Sequence, residues 1–263
     1  MFTPWSVGLC VAVTAIAAAL AYLHAPRLKA LVYTLPVPFF FARHDSGKPV
    51  DATYVLGMFS TLAFLWLTLL AYRRLRWPIV AAEAVGIAAF LSLGFAIGWS
   101  VPDTALAFWL ALAVALPALI VLRVTLKPIY EPGHRTALPW YVKVPIILAI
   151  VVTVIVAKEP LRGFMPTFPF VGTFAVYESR HSLRTLIRQF VRFCIGFMGL
   201  LTTMRLLQPV IPQSWLWLRI VCGIGVGAGV YLIATGGRLL LPEVTEPLSD
   251  EAEPSPAGDP TGG

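Results

Sequence analysis

The chain has 263 residues, 58% of them hydrophobic and 13% charged, with a formal net charge of +7. Long apolar runs separated by short polar joins exclude a soluble globular domain and predict an all-α, polytopic membrane protein whose solvent is the bilayer. Six of the 13 acidic residues follow Pro242, so the body is more basic than the total suggests. In a membrane protein that excess marks the cytoplasmic face, and no nucleic-acid module accompanies it.

In chain order, the first apolar run covers residues 5–23. No positive segment precedes it, and Arg27 and Lys29 follow it, so it reads as a retained span and not as a removed leader. Then comes a shorter apolar piece, 28–42, that runs into "TLPVPFFFARHDS", Thr34 to Ser46. Spans follow near 53–72, 78–99, 104–122, 140–157, 190–207 and 214–235, with a second short piece at 161–177 that carries "TFPFVGTFAVYES". Trp99, Trp140, Trp215 and Trp217 lie near the span ends, where interfacial tryptophans belong. Residues 237–263, rich in Pro, Glu and Gly, are expected to be a disordered acidic tail.

Length alone does not decide the two short pieces, because fifteen helical residues reach about 22 Å and the hydrocarbon core is about 30 Å thick. Charge does decide them. If both cross, fourteen of the 20 Lys and Arg residues fall on one side, and if neither crosses the split is eleven to nine. The excess of positive charge on cytoplasmic loops therefore predicts about nine spans, with the N-terminus outside and the C-terminus inside.

Offsetting the chain by 133 residues aligns the two proline motifs without a gap. Lys29 meets Arg162, Thr34 meets Thr167, Pro36 meets Pro169, Phe41 meets Phe174, Asp45 meets Glu178 and Ser46 meets Ser179. Each motif follows one long apolar run and precedes two more, which predicts two four-span repeats, 1–99 and 140–236, joined by an extra span and connector at 100–139. One extra crossing inverts the second repeat relative to the first, as in many secondary transporters. Prolines in a short span free backbone carbonyls, which hydrocarbon does not tolerate but a cavity does. The candidate substrate-binding residues are thus Thr34, Pro36, Phe41, Thr167, Pro169 and Phe174, expected to face one another across a polar gap near the midplane. The competing reading is a kink that serves packing alone.

The stretch "MPTFPFVGTFAVYES" followed by "LRTLIRQF" resembles the GlpM-type small bacterial inner-membrane proteins. The likeness covers about a hundred residues of the second half and returns more weakly in the first. It implies a membrane-embedded four-span unit, here doubled, in a bacterial inner (cytoplasmic) membrane, and it implies no reaction.

Arg180, Arg184, Arg188 and Arg192 recur every four residues and form a helical stripe. They serve either as headgroup anchors or as a site for an anion or lipid phosphate, since arginine forks bind phosphate oxygens in pairs. Glu83, inside the fourth span, is a coupling candidate or the partner of Arg74 or Arg76. Asp45 and Glu178 close the two motifs as gates or helix caps. Cys10, Cys194 and Cys222 read as packing thiols, and His44, His134 and His181 have no matching ligand set, so neither metal nor cofactor is expected. No nucleophile with a base at readable spacing and no phosphate loop is present. The function expected is a transporter or flippase of a small or lipid-linked substrate. An intramembrane lipid-modifying enzyme and a helper subunit of a membrane complex are the alternatives. Anionic lipids, a second copy or a membrane protein are the expected partners.

Overall fold

In the computed structural model, residues 4–34, 36–46, 49–127, 129–131 and 169–237 are described, together with seven single positions between 141 and 167. Every regular element among them is helical: α1 (Pro4–Tyr22), α2 (Pro26–Tyr33), α3 (Val37–Ser46), α4 (Ala52–Arg73), α5 (Ile79–Ser100), α6 (Ala105–Thr125), α7 (Phe170–Glu178), α8 (Leu183–Leu207) and α9 (Leu216–Thr235), with a 3-10 turn at Gln213–Trp215. Most of the expected span 140–157 and all of the tail beyond residue 237 lie outside the described residues.

Local chemistry sets several boundaries. Pro26 opens α2 at a position where its missing N–H costs nothing. Asp51 caps α4, its carboxylate accepting from Thr53 N at 3.0 Å, and Thr104 caps α6, its hydroxyl accepting from Ala107 N at 3.2 Å. Gly236, at φ 64°, ends α9 in the left-handed conformation that glycine adopts without strain.

Among the described residues, five helices are long and apolar enough to cross a membrane: Ala52–Arg73, Ile79–Ser100, Ala105–Thr125, Leu183–Leu207 and Gln213–Thr235. α1 has a shorter apolar stretch, Val7–Leu20. α4 and α8 form the centre, with 67% and 56% of their apolar windows buried, whereas α5 and α6 bury only 22% and 17%. The outward faces of α5 and α6 carry Leu, Val, Ile, Phe and Trp side chains, such as Val80, Leu93, Phe95, Trp109 and Val114, so the molecule presents apolar side chains to its surroundings. Hydroxyls inside this core turn back on their own helices: Thr68 donates to Phe64 O at 2.8 Å and Thr203 to Gly199 O at 2.9 Å.

Helix directions follow from contacts at the ends. α2 and α3 together run back along α1, so that His44 stacks on Trp5 with ring centroids 4.1 Å apart. α4 and α8 are antiparallel. At one end Arg205, near the close of α8, donates to Val50 O at 2.7 Å, just before α4 begins. At the other end Arg73, closing α4, donates to His181 O at 3.0 Å, just before α8 begins. α6 packs against both. Val37, which opens α3, and Phe170, which opens α7, are 133 residues apart. α4 packs against α5 and α8 against α9, the latter pair with Gly196 and Gly227 at the crossing.

One boundary differs from expectation. The eighth span was expected at 190–207, but α8 begins at Leu183, so Arg184 and Arg188 lie within the helix and not ahead of it. The reason is a cap supplied from elsewhere in the chain.

Candidate functional site

The two proline motifs fold by the same local rules. Thr34 Oγ1 donates to Leu31 O at 2.8 Å, and Thr167 Oγ1 donates to Phe164 O at 3.0 Å. Pro36 O accepts from Phe40 N and Pro169 O from Thr173 N, each at 3.1 Å, so each proline carbonyl opens a new helix. All four residues of one motif are 133 positions from their counterparts in the other. The prolines sit at helix starts, where a lost donor is tolerated, and the first motif is a break between two short helices and not a kink in one.

The structure does not bring the six candidate residues to one gap. Thr34 and Pro36 line an apolar cavity of about 200 Å³ with Phe193, Gly196 and Leu200 of α8 and Gly227 and Tyr231 of α9. Phe41 packs on α1, where a Cβ at Gly8 would come within 2.6 Å of its ring. Thr167 is buried against α4, its carbonyl accepting from Thr61 Oγ1 at 2.9 Å. Pro169 lies beside Gly172, and Phe174 is buried in the core. The motifs meet through Tyr33 and Gly172, where a Cβ on the glycine would stand 3.1 Å from the tyrosine hydroxyl. Both threonine hydroxyls are spent on their own turns, so neither points into a shared gap.

The acidic candidates separate as well. Glu178 is fully buried, with Lys29 Nζ 3.8 Å from its carboxylate and donating to its backbone oxygen at 2.8 Å. A cation at the start of α2 thereby joins the end of α7. Glu83 Oε1 is buried with no hydrogen-bond partner among the described residues, and no ion pair joins it to Arg74 or Arg76. Asp45 lies in α3, near the α1 end that Trp5 and His44 share, and its side chain is outside the described residues.

The arginines do not act as one stripe. Arg180 stacks over the Tyr177 ring at 5.4 Å, Arg184 is exposed, Arg188 is buried and Arg192 is half-buried within electrostatic reach of Arg123 and Tyr231. Arg184 and Arg188 line a second cavity, of about 310 Å³, with Thr125, Lys127 and Trp66. Beside it sits Glu131, which the sequence reading missed. Its carboxylate accepts from Arg73 Nη2 at 2.5 Å, from Thr185 N at 2.7 Å and from Arg184 N at 3.4 Å, closing the N-terminus of α8 from a distant connector. The signal was the single acid in the otherwise basic stretch from Arg123 to Arg135. In the turn before α8, the His181 imidazole is held below its usual range by burial and by the neighbouring Arg180 and Arg73.

No family model fits the sequence, and no curated protein or solved structure matches it. The site must therefore be argued from its own geometry.

Proposed function

We propose that the chain is a multi-pass transporter or flippase of the bacterial inner membrane, built from two inverted four-span repeats around a ninth, linking span. One observation carries this reading: α4 and α8, which occupy equivalent places 133 residues apart, are antiparallel and tied end to end by Arg205 to Val50 O and Arg73 to His181 O. Duplicated helices that run oppositely are what inverted repeats require, and such pairs build alternating-access sites at the repeat interface. The likeness of the second motif to GlpM-type proteins agrees with a doubled four-span unit. The apolar cavity at Thr34 and Pro36 favours a substrate with an acyl chain or another apolar group over a bare ion.

Pro49 and His181 are exposed residues just ahead of the equivalent helices α4 and α8, which suits them to topology mapping. Cysteines at these two positions should be labelled by a membrane-impermeant reagent from opposite sides, and labelling from one side would end the inverted reading. Purified protein in liposomes should then move an amphiphile down or against a gradient, with the rate reduced at least tenfold by Pro36→Ala. Chemical change of the lipid without transport would favour an intramembrane enzyme. No activity of either kind without a second protein would favour a helper subunit.

A further inference from the structure

We infer that the cavity between the ends of α4, α6 and α8 is a binding site for a phosphate-bearing anion, held by Arg188, Arg184 and Lys127. The inference goes beyond transport and does not depend on it.

Arg188 carries the argument. Its exposure is only 8%, it lines the cavity, and no hydrogen bond or ion pair engages its guanidinium among the described residues. Headgroup anchoring explains an arginine that can extend to the interface, which suits the exposed Arg184 and Lys127. It does not explain one as buried as Arg188 whose side chain lines a cavity, since a buried charge without a compensating anion is strongly unfavourable. The nearby carboxylate is already committed, for Glu131 accepts from Arg73 and from two backbone N–H groups of α8. Glu131 lies within electrostatic reach of Arg188, but Arg192 beside Arg188, and Arg123 beside Arg192, add positive charge against it. Among the described residues the cavity thus faces three cations and no uncommitted carboxylate.

Phosphate answers this better than a carboxylate does. Guanidinium forks match adjacent phosphate oxygens, and Lys127 adds a point charge that a third oxygen can take. The space, about 310 Å³, stands at the lower end of small-molecule pockets, roughly 300–1,000 Å³, and holds a headgroup phosphate with part of its glycerol. Trp66, Ile129 and Ile187 give the cavity apolar walls for the attached carbon chain. The Thr125 hydroxyl is turned to Val121 O and Leu122 O, which leaves recognition to the cations.

The phosphate can belong to a lipid headgroup or be free inorganic phosphate. Two measurements on the full-length protein separate the sources: native mass spectrometry of lipid retained from phosphatidylcholine nanodiscs with and without phosphatidylglycerol, and thermal stability in detergent with added inorganic phosphate. Phosphatidylglycerol should be retained by the wild type and by the control Arg74→Gln, and retained at least tenfold less by Arg188→Gln and Lys127→Gln. Stabilisation by inorganic phosphate that is lost in the same two variants would identify the free ion instead. Equal responses of wild type and Arg188→Gln to both probes, including no response, would overturn the site. Should Arg188→Gln fail to fold, Arg184→Gln, at an exposed position, takes its place with the same expected loss.

Discussion

Glu131 reaches α8 from a connector more than fifty residues earlier in the chain, and two backbone N–H groups and one guanidinium converge on it. Asp51 caps α4 from the N-cap position itself. At the same position of α8, Ser182 turns its hydroxyl to Ser179 O and caps no helix N–H, so the carboxylate comes from Glu131. Removing it by Glu131→Ala should cost about 1–2 kcal/mol, the usual worth of a lost cap, read as a lowered thermal midpoint in detergent. A double-mutant cycle with Arg73→Ala should return less than about 1 kcal/mol of coupling, because Arg73 is itself partly exposed. His181, two residues before α8, gives a pH test. Its folded pKa is depressed, so on acidification the unfolded chain takes up the proton first and stability falls as pH drops below the ordinary histidine range. Thermal midpoints at neutral and mildly acidic pH should therefore drop further for the wild type than for His181→Gln, and an equal drop would remove His181 as the cause.

At the scale of elements, close approaches decide the packing. A Cβ on Gly57 would lie 2.1 Å from Thr167 Oγ1, so the second motif can seat on α4 only because that position is glycine. Gly57→Ala should destabilise by about 1–3 kcal/mol, as overpacking does. Adding Thr167→Ala should recover part of that loss, and additive losses would show that the two residues do not share the contact. Gly196 and Gly227 work the same way between α8 and α9, where each would set a Cβ 2.8 Å from the other's carbonyl. Small residues at a crossing are how membrane helices gain van der Waals contact when no hydrophobic effect drives them together. The paired helices then share Gln189 and Tyr231, joined at 2.7 Å, as a polar link.

Across the whole molecule, two ties at opposite ends hold α4 and α8 in antiparallel order, and a third, Lys29 with Glu178, binds α2 to the end of α7. Both members of that last pair are almost fully enclosed, at 1% and 0% exposure. Lys29→Met should remove the cation nearest the buried Glu178 carboxylate and cost up to about 3–5 kcal/mol, while Lys29→Met with Glu178→Gln should recover part of it. Thermal unfolding of the single and double variants checks this, and a single variant as stable as the wild type would mean that the pair does not hold α2 to α7.

By itself the sequence determined the helical class suited to a membrane, the five long apolar helices among the described residues and the 133-residue interval between the motifs, because hydropathy and proline placement act over a few residues at a time. Thr34 and Thr167 were legible as a matched pair, but they were expected to face a gap, and the structure has each hydroxyl closing its own turn. Only the tertiary structure decided where the motifs point. Phe41 goes to α1, Thr167 to α4, and Thr34 with Pro36 to α8 and α9, since those choices depend on which distant glycine leaves room. The same holds for charge. An arginine every four residues reads as one stripe in sequence, yet burial divides it, placing Arg184 outside and Arg188 within, and the carboxylate beside them comes from a connector that no periodicity marks.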